Sequence, residues 1–248
     1  MESTFVSDGL TLHAYTASPE RLSPRGTNAL ILCHGFPDAA TGAAGVASSY
    51  PDLADRLASE LGWLVTTFHY RGCGSSEGDF SALGWLADVR AAVTHVRAIH
   101  NVAGVWLAGF GTGGALAVSA AATDESIRGV ATLAAPADFG DWASSPEQLL
   151  THARKLGAVV DADFPTDRAA WSAEFSAISA VDAAPRVVPR PLLVVHGADD
   201  GVVPVFDGRF IADAHGEAEL RVVVGAGHRL RYDPRAVAVL LGWLTRQV

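Results

Sequence analysis

The sequence predicts an α/β fold in which an eight-stranded, mostly parallel sheet carries helices on both faces. Apolar runs of strand length alternate with segments of helical periodicity, and this alternation is typical of parallel strands joined by crossover helices. Asp8-Gly9 lies between two alternating segments and indicates a hairpin at the start of the chain. The 248 residues, 49% of them hydrophobic, suffice for one large domain with a substantial core.

The elements follow from their local patterns. Residues 4–8 and 10–17 form the hairpin, and the continuously apolar run from Ala29 to Cys33 fits a strand buried on both faces. The remaining strands are predicted at 63–69, 102–109, 128–134, 191–196 and 219–224. The helices of the core are predicted at about 49–61, 83–100, 113–122, 205–214 and 234–246.

Residues 138–186 interrupt the alternation, because they contain two predicted helices and no strand. We expect them to form a small helical cap, inserted into an α/β core made of residues 1–137 and 187–248. Such a cap would lie over the carboxyl ends of the strands, where parallel sheets bind ligands. Its aromatic side chains either line an apolar pocket or anchor the cap to the core: Trp142, Phe164, Trp171 and Phe175.

Charge and composition limit the partners. The net charge of −9 and the lack of a basic stripe argue against nucleic acid and anionic membranes. Cys33 and Cys73 form neither a disulfide framework nor a metal site, so we expect reduced thiols. No signal-peptide pattern and no apolar stretch of about 18 residues is present, which favours a soluble, cytoplasmic protein. The glycines lack dinucleotide-binding or P-loop spacing, so no cofactor or metal is expected. The oligomeric state is not readable.

The most informative segment is Val105-Trp106-Leu107-Ala108-Gly109-Phe110-Gly111-Thr112-Gly113-Gly114, called the elbow below. It has the form of G-x-S-x-G, the strand-to-helix turn that exposes a nucleophilic serine at its apex. Glycine stands at the apex, so Gly111 offers no oxygen, sulfur or carboxylate. Glycine adopts the strained backbone of such an apex freely, whereas another residue would lose about 1–3 kcal/mol there. We therefore expect the turn to form without its nucleophile.

Three further motifs follow predicted strands. His34-Gly35-Phe36-Pro37 comes after the third strand, and Tyr70-Arg71-Gly72-Cys73-Gly74-Ser75-Ser76-Glu77-Gly78 after the fourth. The last two strands precede His196-Gly197-Ala198-Asp199-Asp200-Gly201-Val202-Val203-Pro204 and Gly225-Ala226-Gly227-His228. Together with the elbow, which comes third along the chain, these motifs resemble the α/β-hydrolase superfamily in their order, and the resemblance covers nearly the whole chain. The cap and the R-G-x-G-x-S turn are most similar to bacterial serine esterases and aminopeptidase-like hydrolases.

The resemblance implies roles for five positions. Asp200 would be the acid that orients His228, the base, and Gly111 occupies the nucleophile position. The backbone N–H groups of Phe36 and Thr112 would form the oxyanion hole. The alternatives are a turn or N-cap carboxylate for Asp200 and a surface-loop histidine for His228. The remaining residues of note are expected to be structural: Arg71, Ser75, Ser76 and the other histidines, including His34, His69, His152 and His196.

No residue near the apex is expected to replace the serine. The Thr112 side chain leaves the apex in another direction, Ser119 lies nearly two turns along the following helix, and Cys33 is in a buried strand. An ordinary acyl-enzyme mechanism is therefore excluded.

Three hypotheses about function remain open. The first is an enzyme that hydrolyses a small ester, thioester or related acyl substrate with water activated by His228 and Asp200. The second is a non-catalytic ligand-binding or scaffold protein. The elbow is similar to that of the N-myc downstream-regulated family, whose members are regarded as non-enzymatic, although the likeness covers the elbow alone. The third is a serine hydrolase whose nucleophile was removed by engineering. In each case the expected ligand is a small acyl-type molecule.

Overall fold

The computed structural model describes residues 1–20, 26–99 and 101–247. Within them, one sheet of eight strands has the order β1-β2-β4-β3-β5-β6-β7-β8. The strands are β1 (Glu2–Ser7), β2 (Leu10–Ala17), β3 (Thr27–Cys33), β4 (Leu64–Phe68), β5 (Val102–Phe110), β6 (Ile127–Leu133), β7 (Leu192–Gly197) and β8 (Glu219–Val223). The helices are α1 (Gly42–Gly45), α2 (Tyr50–Leu61), α3 (Ala82–Arg97), α4 (Thr112–Ala121), α5 (Gly140–Ser144), α6 (Pro146–Leu156), α7 (Arg168–Ser176), α8 (Ala180–Ala183), α9 (Val205–His215) and α10 (Pro234–Thr245). The predicted fold class is confirmed.

The sheet is antiparallel at one edge and parallel elsewhere. β1 and β2 pair through the Asp8-Gly9 turn, where both residues have positive φ (49° and 83°), as a type I′ hairpin requires. β2 runs antiparallel to β4, and every pair from β4 to β8 is parallel. The carboxyl ends of six neighbouring strands therefore meet at one edge, and all four motifs follow strands that end there.

The core lies on both faces of the central strands. Leu30, Ile31 and Leu32 are successive residues of β3, and all three are fully buried although their side chains alternate between the two faces. Contacts join α3, α4, α8 and α9 in one series and α2 with α10 in another, so helices cover both faces. Among the described residues, no helix is long and apolar enough to cross a membrane.

Arg71 has the structural role expected of it. Its guanidinium donates two hydrogen bonds to the buried Asp88 of α3 and one, at 2.8 Å, to Asp8 in the hairpin turn. Its backbone N–H also donates to Asp88 at 2.9 Å. The arginine thus ties the loop after β4 to α3 and to the β1–β2 turn.

The segment of residues 138–186 differs from the prediction in its helices. Its described residues contain four α-helices, α5 to α8, and a 3₁₀ turn at Ala184–Arg186, rather than two helices. Pro146 begins α6 directly after α5, and α5 and α8 have five and four residues, too few to show a helical period. Ala180 N–H donates to Ala137 O at 2.8 Å and brings the two ends of the segment together. Its division from the core as a separate cap stays a prediction.

Candidate active site

The elbow forms between β5 and α4 with Gly111 at its apex. Gly111 has φ 53° and ψ −127°, a left-handed conformation that glycine adopts freely. A Cβ on Gly113 would lie 2.3 Å from Cys33 O, and one on Gly109 would lie 2.3 Å from Gly113 O. Both flanking glycines therefore permit the close approach of β3, β5 and α4. The backbone of a nucleophile elbow is present in full.

Two loops at the same edge bring Asp200 and His228 together. Asp200 follows β7 and His228 follows β8, and His228 Nδ1 lies 2.9 Å from Asp200 Oδ2. Because an ionised carboxylate can only accept, the proton of the neutral ring resides on Nδ1, which leaves a lone pair on Nε2. A Cβ on Gly111 would lie 3.4 Å from that Nε2. The structure thus brings together three of the five predicted positions: Gly111, Asp200 and His228.

Asp200 is held in its ionised form. Its side chain is fully buried, which opposes ionisation. Hydrogen bonding to His196 and His228, together with the N–H groups of Val203 and Val202, nevertheless holds its pKa well below the usual range. Both N–H donors lie 2.9 Å from Oδ1. Asp200 therefore remains an acceptor that fixes the tautomer of His228.

His196 is a member of this network that sequence reasoning missed as a partner of Asp200. It is fully buried near the end of β7, and its Nε2 lies 3.1 Å from Val203 O and 3.5 Å from Asp200 Oδ2. Since both neighbours accept, Nε2 carries the proton. A Cβ on Gly208 would lie 2.7 Å from His196 Nδ1, so α9 packs directly against the ring. The only signal in the sequence was its place at the carboxyl end of a strand.

The predicted oxyanion donors, Phe36 and Thr112, belong to the loop after β3 and to the start of α4. The loop after β3 presses against the elbow, because a Cβ on Gly35 would lie 3.0 Å from Phe110 O. His34 Nδ1 lies 2.7 Å from Gly35 O, and burial lowers the pKa of His34 to about 3, so the ring is neutral and donates. Within the described part of the chain, neither the Phe36 nor the Thr112 N–H donates a hydrogen bond to the protein. Both residues line the cavity above the elbow.

That cavity has a volume of about 740 Å³ and extends from Gly111 and His228 to the segment after β6. Its apolar wall includes Phe139, Trp142 and Leu149. Four aromatic residues were expected to line the pocket or to anchor the segment to the core. Of these, Trp142 lines the cavity. Trp171 and Phe175 are buried against Phe80, and Phe164 packs against the core. A ligand of the size typical for enzyme pockets fits such a volume.

The comparisons with known proteins agree with the fold. A family model described as the alpha/beta hydrolase fold matches residues 28–170. The chain belongs to the α/β-hydrolase family. A search of curated proteins finds no match.

Solved structures support the fold of this α/β hydrolase over its whole length. They include the alpha/beta hydrolase GrgF from Penicillium sp. sh18, with a TM-score of 0.75 and 19% identity over 99% of this chain and 98% of that one. Proline iminopeptidase from Mycobacterium smegmatis has a TM-score of 0.69 and 19% identity over 99% and 98%. The Pyrococcus furiosus esterase PF2001 has a TM-score of 0.71 and 16% identity over 100% and 90%. At these identities the likeness shows the fold alone.

Four other hydroxyls and thiols of the described residues are buried or already donate to a protein acceptor. Ser119 Oγ is buried and donates to Ala115 O at 2.9 Å. Cys33 is fully buried, which raises the pKa of its thiol to about 12, and Cys73 is buried as well. Thr41 Oγ1, at the cavity wall, donates to Asp38. Among the described residues, no group of three or more histidines, cysteines or carboxylates is arranged to hold a metal ion.

Proposed function

We propose that this α/β hydrolase cleaves a small ester, thioester or related acyl substrate with a water molecule activated by His228. One observation carries the proposal. His228 Nε2 faces the position that a serine side chain would occupy on Gly111, 3.4 Å from its Cβ, while Nδ1 is held by Asp200 at 2.9 Å. Replacing a CH₂OH group by hydrogen leaves space for about one water molecule within hydrogen-bond reach of this lone pair.

The reaction proceeds without an acyl-enzyme. The substrate carbonyl oxygen accepts hydrogen bonds from the Phe36 and Thr112 N–H groups, and its carbon lies above Gly111. His228 Nε2 takes a proton from the water, whose oxygen adds to the carbonyl carbon. The two N–H groups and the positive end of α4 stabilise the resulting oxyanion. The intermediate then collapses, and His228 returns the proton to the leaving alcohol or thiol, which yields the carboxylic acid.

The rate factors of this mechanism predict slow turnover and a preference for substrates with activated leaving groups. Loss of the nucleophile in a serine protease reduces turnover by roughly 10⁶-fold, while binding and the oxyanion hole retain about 10³–10⁴-fold over water. General-base assistance adds typically 10²–10⁴-fold. Phenyl esters and acyl thioesters, whose leaving groups need little protonation, are therefore the substrates on which activity is easiest to measure.

The test compares hydrolysis of p-nitrophenyl esters and acyl thioesters by the unmodified protein, His228→Ala and Asp200→Asn. We expect His228→Ala to lower turnover by at least about 10²-fold, since it removes the general base. Asp200→Asn is expected to lower it as well, because an amide nitrogen facing Nδ1 favours the wrong tautomer.

Ser119→Ala is the matched control, because this hydroxyl is buried and bonded within α4. It should leave turnover unchanged. Equal rates for the unmodified protein and His228→Ala would overturn the proposal. Thermal stabilisation by acyl ligands in the absence of any turnover would instead favour a non-catalytic binding protein.

A further inference from the structure

Arg231 is a cation at the wall of the cavity, and no carboxylate among the described residues pairs with it. It lies three residues after His228, at the short 3₁₀ turn Leu230–Tyr232, and is half-buried. Its hydrogen bonds go to neutral groups: Nε donates to Ser49 Oγ at 3.3 Å and Nη2 to Tyr232 OH at 3.0 Å. A guanidinium has five N–H donors, so the remaining donors are available to a ligand.

Two aromatic rings hold the guanidinium in place. Its Cζ lies 4.3 Å from the ring centroid of Tyr232 and 5.4 Å from that of the fully buried Tyr50. Cation–π contacts of this kind stabilise an arginine and restrict its side-chain conformations before a ligand binds. Less conformational entropy is then lost on binding. Arg231 is therefore pre-organised, and its charge is not neutralised within the described residues.

The other charged groups of the cavity do not compete for Arg231. Arg229, nearer the surface, pairs with Asp38 at 2.8 Å, and Asp38 Oδ1 also accepts from the Ala40 and Thr41 N–H groups. The remaining carboxylates line the cavity from the segment after β6 and from α9: Asp138, Asp141 and Asp207. The cavity is consequently acidic along those elements and basic at Arg231.

We propose that Arg231 binds a carboxylate of the substrate at a distance from the carbonyl that reacts. The substrates would then be half-esters or half-thioesters of dicarboxylic acids. A guanidinium matches a carboxylate with two parallel hydrogen bonds. With Asp138, Asp141 and Asp207 elsewhere in the cavity wall, a singly charged carboxylate is repelled less than a doubly charged phosphate. The hydrolysis of such substrates rests on the proposed function, but their binding by Arg231 does not.

The first measurement is the ratio of kcat/KM for monophenyl glutarate, which is anionic, to that for phenyl pentanoate, its neutral counterpart. Arg231→Met should lower this ratio by about 10- to 100-fold, the range expected for hydrogen bonds to a charged group. Arg231→Lys keeps the charge without the planar fork and should restore part of the ratio. Equal loss on both esters would indicate a merely structural role and overturn the proposal.

Arg209→Met is the matched control. Arg209 is exposed, also stacks on an aromatic ring (5.4 Å from Phe206), has no carboxylate partner among the described residues, and does not line the cavity. Its removal changes the net charge as Arg231→Met does and should leave the ratio unchanged. A fall as large as that of Arg231→Met would show a general field effect and overturn the proposal.

Binding without turnover separates this inference from the proposed function. The ketones 4-benzoylbutyrate and valerophenone reproduce the two phenyl esters but are not hydrolysed. We expect 4-benzoylbutyrate to bind at least about 10-fold more tightly than valerophenone, and Arg231→Met to remove the difference. If this holds although no ester is hydrolysed, Arg231 keeps its role and the hydrolase mechanism fails. If the two ketones bind equally, or neither binds, the role of Arg231 is wrong.

Discussion

Gly111 has a backbone conformation suited to a nucleophile but no side chain that could react. A Cβ at this position would have His228 Nε2 as its nearest neighbour, at 3.4 Å, which is an ordinary van der Waals distance. Substitution there is therefore opposed by backbone strain at φ 53° rather than by a steric clash. The side chain added by Gly111→Ser would point at a base whose proton is already held on the far nitrogen.

We predict that Gly111→Ser reacts with a fluorophosphonate probe, whereas the unmodified protein does not. The serine should be activated by His228 as in other serine hydrolases. The same substitution should lower the free energy of unfolding by about 1–3 kcal/mol because of the strained φ. Mass spectrometry of the labelled protein and urea denaturation measure the two effects.

Gly111→Ala is the control, since it has the same strain without a hydroxyl. It should be destabilised equally and remain unlabelled. The double variant Gly111→Ser/His228→Ala should also resist the probe. A folded Gly111→Ser protein that the probe leaves untouched would show that the elbow and His228 are not aligned for catalysis.

At the scale of elements, the site depends on how closely α4 approaches β3. Gly113 makes this approach possible, because a Cβ there would lie 2.3 Å from Cys33 O and 2.4 Å from His34 O. Both are backbone atoms of β3 and the loop after it, and they cannot move without shifting the loop that carries the Phe36 N–H. This contact thus fixes both the packing of α4 and the position of the loop that carries the proposed oxyanion donor.

Gly113→Ala is therefore expected to destabilise the protein by about 1–3 kcal/mol or more, as overpacking does, and to abolish turnover of any substrate. Gly242→Ala is the matched control, because Gly242 lies in the exposed part of α10 with no atom within 4 Å of its added Cβ. It should stabilise the protein by up to about 1 kcal/mol, the helix-propensity difference. Equal stabilities of the two variants would contradict this account of the elbow.

At the scale of the whole molecule, the sequence was most informative where structure depends on local pattern. β3 was predicted because an unbroken apolar run must be buried, and the hairpin because Asp8-Gly9 suits positive φ. Asp200 and His228 were predicted to pair because the motifs that carry them resemble the acid and base loops of α/β hydrolases, and the structure places His228 Nδ1 2.9 Å from Asp200 Oδ2.

The parts that could not be predicted depend on how loops and elements pack in three dimensions. His196 and Asp200 are only four positions apart, but the turn after β7 is what brings His196 Nε2 to 3.5 Å from Asp200 Oδ2. The sequence alone does not show that Asp38 pairs with Arg229. It therefore does not show that Arg231 lacks a carboxylate partner among the described residues. The helices α5 and α8 have five and four residues, too few to show a helical period in the sequence. Their formation depends on packing against the rest of the protein.

The buried His34 couples the stability of the whole molecule to pH. Burial lowers its pKa from 6.5 to about 3 in the folded protein. The unfolded chain therefore binds one more proton than the folded protein between these values, and the free energy of unfolding falls as the pH drops from about 6.5 to about 3. The slope from this residue approaches about 1.4 kcal/mol per pH unit. Burial also lowers the pKa values of His69, His95 and His215, which adds to the slope with the same sign.

We predict that His34→Asn reduces the slope of unfolding free energy against pH by about 1.4 kcal/mol per unit between pH 4 and pH 6. Asparagine does not titrate, and its amide can still donate to Gly35 O. Tyr70→Phe is the control, because the Tyr70 ring lies 4.7 Å from that of His34 in the same buried cluster and tyrosine does not titrate in this range. It removes a buried hydroxyl and should keep the slope. Urea denaturation across this range measures both slopes. An unchanged slope in His34→Asn would mean that His34 is protonated within the fold. A protonated His34 would contradict the neutral ring described for the loop that carries Phe36.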